Sequence, residues 1–259
     1  MISLAVQFVR DIGSQVELSV QIAMRLRSVG RRRALIADQF FQSGLKVAHV
    51  VLLVGLFMGM IVALQTGIEL SGFGQQDQIG PIVALSMCRE MGPFITGTIL
   101  AATVGSALAA ELGTMAVSDE LAALEVMSID RISFLVLPRV VGLAVMCPVL
   151  TVLCNTIGIV GGGLIASSQL NVGSALYYDS ALNALKYEHF FLDLPKDVYS
   201  GLFKAFVFGA LIAVISCSAG INATSGAMGV GNATRKAVRD SIITIIVINY
   251  FLSWAFFQM

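Results

Sequence analysis

The sequence predicts an all-α integral membrane protein with about five transmembrane helices, and two observations support this fold class. Of the 259 residues, 57% are hydrophobic and only 12% are charged, whereas a soluble domain usually carries about 25% charged residues. The charges are also unevenly placed, because five long stretches contain no Asp, Glu, Lys or Arg. These stretches are 47–68, 91–110, 140–178, 205–234 and 241–259.

Each charge-free stretch has a length that suits a membrane-crossing helix, since a helix needs about 20 apolar residues to cross the hydrocarbon core. Lipid offers the backbone no hydrogen-bond partners, so these segments must satisfy their own N–H and C=O groups as helices. The predicted spans are approximately 46–68, 81–112, 132–166, 199–222 and 238–258.

Residues 1–45 are expected to form an amphipathic segment ahead of the transmembrane domain. Leu4, Phe8, Ile12, Val16 and Val20 recur every four residues, which gives a helix one apolar face. A basic polar face would suit anionic headgroups at the membrane surface, although a soluble helix packed on a partner would show the same pattern. The arginines between and after the stripe are Arg10, Arg25, Arg27, Arg31, Arg32 and Arg33.

The distribution of Lys and Arg predicts the orientation of the chain. Residues 1–46 hold seven basic residues, whereas the connection at 67–80 holds none. Since cytoplasmic loops are enriched in Lys and Arg, the N-terminus is expected in the cytoplasm. Five spans then place the C-terminus on the opposite side.

Residues 46–259 are predicted to form one membrane domain with a segment of about 171–198 on the outer side. Small residues recur at four-residue spacing, as at Gly55 and Gly59 and at Gly158 and Gly162. Such stripes let helix backbones approach closely, either within one subunit, which is the commoner use, or between subunits.

Arg89 and Glu90 interrupt the apolar pattern of the second span. Charges in hydrocarbon cost about 2.5–3.5 kcal/mol each on insertion scales, so they normally face a cavity or a partner. Two interpretations stay open, a polar point in a substrate pathway and a structural ion pair that fixes helix packing.

The connection 111–131 predicts a short amphipathic helix on the cytoplasmic side. Ser118 is expected to cap it, with Asp119 and Glu120 in the first turn near the positive end of the helix dipole. Leu121, Leu124 and Met127 would share one side. Such a helix suits docking to a soluble partner, and a plain interfacial connector would look the same.

The run Ile82–Val140 resembles the core of the MlaE permease family, whose members include the membrane subunits of the bacterial Mla phospholipid system and a chloroplast lipid importer. The stretches REMGP, GSALAAELGTM and EVMSIDRISFLVLPR carry most of the likeness. The likeness extends more weakly from about residue 45 to the C-terminus.

The resemblance implies a homodimeric, multi-pass permease in the bacterial inner membrane that moves phospholipid. It implies two cytoplasmic ABC ATPase subunits and a periplasmic MCE-domain lipid-binding protein as partners. ATP and magnesium would be bound by the ATPase, so no cofactor, metal or nucleic acid is expected for this chain.

The resemblance also assigns roles to residues. A coupling helix at about 117–130 would receive the movement of the ATPase, through Asp119, Glu120, Leu121, Glu125, Met127 and Asp130. An outward-opening lipid pocket at the dimer interface would be lined or bordered by Val62, Phe73, Arg89, Glu90 and Met91. The outer segment could brace the partner ring with Tyr177, Tyr178, Tyr187, Phe190 and Phe191.

The sequence lacks the phosphate-binding motif of an ATPase. Gly229–Val230–Gly231 is followed by Asn232, Ala233 and Thr234, which provides neither the lysine nor the spacing of a P-loop. The chain is therefore expected to be a non-catalytic subunit. The competing predictions are an ion-coupled secondary transporter or channel with Arg89–Glu90 as coupling site, and, with little weight, an intramembrane enzyme using Cys88 and Glu90.

Overall fold

The computed structural model describes residues 2–25, 33–186 and 195–258. Within these ranges all secondary-structure elements of three or more residues are helices, which confirms the predicted all-α fold. The helices are α1 (Ile2–Arg25), α2 (Ala34–Gly72), α3 (Gln76–Val117), α4 (Glu120–Val126), α5 (Ile132–Gln169), α6 (Ser174–Lys186), α7 (Lys196–Ile221) and α8 (Gly226–Phe257).

Five of the described helices, α2, α3, α5, α7 and α8, are long and apolar enough to cross a membrane, as predicted. Each of them extends beyond its predicted span at one end or both, because the flanking residues continue the helix. At about 1.5 Å per residue, the 42-residue α3 is much longer than the hydrocarbon core requires. Four π-helical turns interrupt these long helices within the described ranges, one of them at Met87–Met91.

The chain divides into two compact units. Unit 1 consists of Met1–Lys46, Leu100–Met146 and Phe208–Val247, and it contains α1 and the short helix α4. Unit 2 consists of Val47–Ile99, Cys147–Val207 and Ile248–Met259, and it contains α6. The short helices α4 and α6 therefore belong to different units.

Glycines bring the first and third spanning helices together in unit 2. A Cβ atom on Gly59 would lie 1.9 Å from the Gly158 carbonyl oxygen, and one on Gly55 would lie 2.8 Å from the Cys154 sulfur. Only a residue without a side chain permits this approach, which dispersion forces then stabilise. The glycine spacing thus serves packing within the chain.

Glycines also bring α3 and α7 close together in unit 1. A Cβ atom on Gly220 would lie 2.8 Å from the Leu112 Cβ atom and 2.9 Å from the Ala109 carbonyl oxygen. One on Gly105 would lie 2.8 Å from the Ser216 hydroxyl. Small residues therefore set the close spacing of helices in both units.

The outer segment predicted at 171–198 contains α6, whose aromatic residues Tyr177 and Tyr178 pack against the unit, the first buried and the second half-buried. Tyr177 is 1% exposed and its hydroxyl donates to the Ile159 carbonyl at 3.2 Å. Burial, with a further contribution from Tyr178, raises the pKa of Tyr177. Tyr187, Phe190 and Phe191 lie outside the described ranges.

Residues 2–25 form the helix α1, and its described side chains show which face packs. Leu18 and Ile22 are buried, whereas Val16 and Val20 of the predicted stripe are exposed. Val16 and Val20 therefore point away from the rest of the unit, as an apolar face that meets lipid or a partner would. Arg27, Arg31 and Arg32 fall outside the described ranges, and so do the side chains of Arg10 and Arg33.

Candidate functional site

Arg89 and Glu90 lie in the π-helical turn Met87–Met91 of α3. Such a turn inserts an extra residue into the helix and redirects its side chains, and π-helical turns are frequent at functional sites. Gly201 of α7 packs directly on this turn, because a Cβ atom there would lie 2.0 Å from the Cys88 carbonyl oxygen. The close approach brings the polar residues of α7 within reach of the turn.

Glu90 forms a network with residues of α7 and α8. Its Oε1 atom accepts a hydrogen bond from the Lys204 ammonium at 2.6 Å and lies 2.7 Å from the Ser253 hydroxyl. Its Oε2 atom accepts from the Asn249 amide at 2.9 Å. The Lys204 side chain is 0% exposed, so its charge is compensated entirely by neighbouring groups of the chain.

The Lys204 ammonium has two further acceptors. It donates to the Arg89 carbonyl at 3.1 Å and to the Ser253 hydroxyl at 2.7 Å. Three acceptors match the three protons of an ammonium group. This complete set of partners satisfies the requirement for placing a lysine inside a spanning helix.

Arg89 makes a separate ion pair with Asp197, whose carboxylate accepts from the Arg89 Nε atom. Asp197 lies in the first turn of α7, where the helix dipole also favours a negative charge. The guanidinium carbon is 4.9 Å from the centre of the Phe257 ring, which is within the range of a cation–π contact. Arg89 nevertheless remains 41% exposed.

The exposed part of Arg89 borders a cavity of about 550 Å³ in unit 2. Gln78, Ser180, Asn183 and Asp197 share its lining, so the wall offers amide, hydroxyl and carboxylate groups beside the guanidinium. Arg89 can therefore reach a ligand in this cavity without leaving Asp197.

The residues assigned to a lipid pocket fall into two groups. Arg89, Glu90 and Met91 share one helical turn, and Met91 is 37% exposed. Val62 lies on α2, and Phe73 follows the end of that helix with 77% of its surface exposed.

Sequence reasoning missed Asp197, Lys204, Asn249 and Ser253, the partners of Arg89 and Glu90. One signal for Lys204 was available, because it immediately precedes a charge-free run and stands seven residues after Asp197. That spacing places both on the same face of a helix.

The second candidate region is α4 with its flanking residues in unit 1. The prediction that Ser118 caps α4 was wrong. Ser118 ends α3 instead, and its hydroxyl donates back to the Thr114 carbonyl at 2.9 Å. Asp119 occupies the N-cap position in the left-handed conformation, with φ of 59° and no side-chain capping bond. Aspartate tolerates this conformation, which lets the chain turn between two helices with a very short connection.

Most residues of helix α4 are exposed. Leu121 is buried, but Val126 is 86% exposed and Met127 is 61% exposed. Glu120 and Glu125 are also exposed. The residues that were expected to share one apolar side therefore differ in exposure. Leu121 packs against its own unit, whereas Met127 points away from it.

Ion pairs connect the end of this region to its surroundings. Asp130 pairs with Arg25 of α1 at 2.5 Å, and its other oxygen accepts from the Ile132 backbone N–H at 3.2 Å. Arg131 pairs with Glu125 at 3.0 Å. All four charged side chains are at least one third exposed, so each pair contributes little to stability.

The fold and these two regions define a multi-pass α-helical membrane protein with a polar cluster inside its spans and an exposed amphipathic helix on one connection. The family model described as permease MlaE matches residues 36–255. The chain belongs to the MlaE permease family, and it is a permease of the ABC transporter class.

Named relatives agree with this assignment. The chain is 39% identical over 230 residues to a probable ABC transporter permease protein of Synechocystis sp., covering 89% of this chain and 84% of the relative. It is 36% identical over 254 residues to a probable ABC transporter permease protein of Rickettsia conorii, covering 98% and 95%. A chloroplastic protein of Arabidopsis thaliana named TRIGALACTOSYLDIACYLGLYCEROL 1 is 39% identical over 221 residues, which cover 85% of this chain and 61% of that protein.

Proposed function

We propose that the protein is the membrane subunit of a transporter that moves phospholipids between the bacterial inner membrane and a periplasmic MCE-type carrier. Family membership over residues 36–255 carries the proposal. The name of the chloroplastic relative refers to a glycerolipid, which supports a lipid substrate. The active assembly is proposed to contain two copies of this chain, with the N-terminus of each in the cytoplasm.

A separate ATPase is proposed to supply the energy. Helix α4 fits the role of the docking element because it exposes acidic and apolar side chains together at Glu120, Glu125, Val126 and Met127. Leu121, which is buried, and Asp130, which pairs with Arg25, would hold the helix in place. The exposed Asp119 would contact the ATPase together with the exposed side chains. Movement of α4 with the ATPase would then change the affinity for lipid of the cavity beside Arg89 in unit 2. A difference in lipid affinity between two states of the protein is what allows transport.

Arg89 is the residue proposed to meet the phosphate of the transported lipid. Its guanidinium borders the cavity of unit 2, and guanidinium groups bind phosphate strongly. Met91, Val62 and Phe73 would border the apolar part of the substrate. Glu90 would affect the substrate indirectly, by stabilising the π-helical turn that carries Arg89. Both of its carboxylate oxygens already have partners in the chain.

Charge reversal on α4 tests the coupling role. Glu120→Lys and Glu125→Lys are expected to reduce ATP-driven lipid transfer about tenfold or more in liposomes that contain the complete transporter. Asp38→Lys is the matched control, because Asp38 is an exposed acid of the same unit that lies outside α4. Equal transfer by all three variants would refute the docking assignment.

A further inference from the structure

Unit 1 contains a polar cavity that none of the preceding roles uses. Its volume is about 340 Å³, and it is bordered by α1, the end of α7 and the start of α8. Its lining includes Ser14 and Gln15 of α1, Ser218 and Asn222 near the end of α7, and Asn232 and Lys236 of α8. A cavity of this size with this many uncharged polar groups suits a small polar ligand.

The charge around the cavity is positive. The stretch 235–240, RKAVRD, carries three basic residues and one acid. The acid, Asp240, lines the cavity together with Lys236, and it accepts a hydrogen bond from the Arg239 Nε atom at 2.9 Å, so the Arg239 guanidinium offsets its negative charge. The stretch 235–240 as a whole keeps more basic than acidic residues beside the cavity, which favours an anion.

The wall of the cavity is held by defined contacts. The Ser14 and Ser218 hydroxyls lie 3.2 Å apart and connect α1 to α7. Ser225 and Gly226 both have positive φ, at 72° and 67°. A Cβ atom on Gly229 would lie 1.4 Å from the Thr224 carbonyl oxygen, so only glycine allows the chain to fold back at this rim.

Asn232 is oriented by a neighbouring cation. Its side-chain oxygen accepts from the Arg235 guanidinium at 2.7 Å. This contact uses the side-chain oxygen of Asn232 as an acceptor and leaves its two amide N–H groups as donors for a ligand. Amide and hydroxyl donors next to a lysine are the groups that bind phosphate oxygens.

Exposed apolar side chains occur on two of the helices that border the cavity. Met228 of α8 lines the cavity and is 77% exposed, and α1, which borders it through Ser14 and Gln15, exposes Val16, Val20 and Met24 further along the helix. A free inorganic ion would leave these groups unused, whereas an amphiphile would contact both the polar wall and the apolar rim.

We propose that this cavity binds the phosphate group of a membrane phospholipid, with Lys236 and Asn232 contacting the phosphate oxygens and Met228 contacting the acyl chains. This site belongs to unit 1 and is distinct from the cavity beside Arg89 in unit 2. It does not depend on which substrate the transporter moves. Bound lipid would hold α1 against the start of α8.

Photo-crosslinking in native membranes tests the site. A benzophenone amino acid in place of Met228 should give a phospholipid adduct that mass spectrometry identifies in the purified protein. Lys236→Gln and, separately, Asn232→Leu should each lower the adduct yield about fivefold. Lys46→Gln, which removes an exposed lysine of the same unit that does not line the cavity, should leave it unchanged.

Competition distinguishes a lipid from free phosphate. Short-chain phosphatidylglycerol should suppress the adduct, and inorganic phosphate at the same concentration should not. Suppression by inorganic phosphate would overturn the lipid assignment. Equal adduct yields in the original protein and in both Lys236→Gln and Asn232→Leu, with all of them showing the same thermal unfolding profile, would overturn the site itself.

Discussion

The polar cluster around Glu90 and the connection around α4 both concentrate charge, but they use it differently. In unit 2, the Lys204 ammonium has three acceptors within the chain and no exposed surface. In unit 1, the ion pairs at Asp130 and Glu125 are partly exposed. Charges that are satisfied inside the chain hold helices together, whereas exposed charges remain able to engage a partner.

This comparison predicts opposite responses to mutation. Changes in the unit 2 cluster should reduce stability first and transport as a consequence. Changes on α4 should alter coupling while the protein remains folded.

Breaking the buried pair should have the largest effect. Glu90→Met leaves the buried Lys204 ammonium without its carboxylate, and removing one partner of a fully buried pair costs about 3–5 kcal/mol. Because the Glu90 side chain is 37% exposed, we expect a loss toward the lower end of that range. Thermal unfolding in detergent should show this loss. The double variant Glu90→Met with Lys204→Met should recover much of it, because apolar replacement of a whole buried pair is often neutral. A double variant less stable than either single variant would contradict the account.

A side chain at the closest helix contact should have the next largest effect. Gly59→Ala introduces a Cβ atom 1.9 Å from the Gly158 carbonyl oxygen, and overpacking of this kind typically costs about 1–3 kcal/mol. Gly231→Ala is the control, since nothing lies within 4 Å of a Cβ atom there. Fluorescence-detected size-exclusion chromatography after a temperature series measures the difference, and identical profiles would rule out the contact.

Removing the Tyr177 hydroxyl should have an intermediate effect. Tyr177→Phe leaves the Ile159 carbonyl without this donor, which corresponds to about 1 kcal/mol for one hydrogen bond. Tyr178→Phe serves as the neighbouring control. The same thermal unfolding measurement applies, and a more stable Tyr177→Phe variant would show that the bond contributes nothing.

The exposed pair at Asp130 should show the smallest effect. Asp130→Arg should destabilise α1 slightly, and adding Arg25→Asp should restore it, because an exposed pair contributes about 0.2–1 kcal/mol. Hydrogen exchange of α1 amides reports this local change. Absence of any recovery in the reversed pair would show that Arg25 and Asp130 do not interact.

The sequence was informative where one physical rule dominated. Charge-free runs located all five spanning helices because hydrocarbon excludes charge over a fixed length. Gly55 and Gly59 were recognised from their spacing alone. Their partners on α5 could not be identified, since spacing describes one helix face and not the helix that it meets.

The polar cluster was only half predictable. Arg89 and Glu90 stood out against apolar neighbours, but Glu90 meets Asn249 and Ser253 across 159 and 163 residues of sequence. No periodic pattern encodes such a contact. The capping error at Ser118 had a local cause, because serine can donate to the preceding helix as readily as it caps the following one.

The most direct test of the account is lipid transfer in vesicles, measured with and without an ATPase partner. We expect that the purified chain moves no phospholipid uphill by itself, and that transfer begins when the ATPase and ATP are added. Uphill transfer by the chain alone, driven by an ion gradient and abolished by replacing Arg89 or Glu90, would contradict it and would instead identify an ion-coupled transporter.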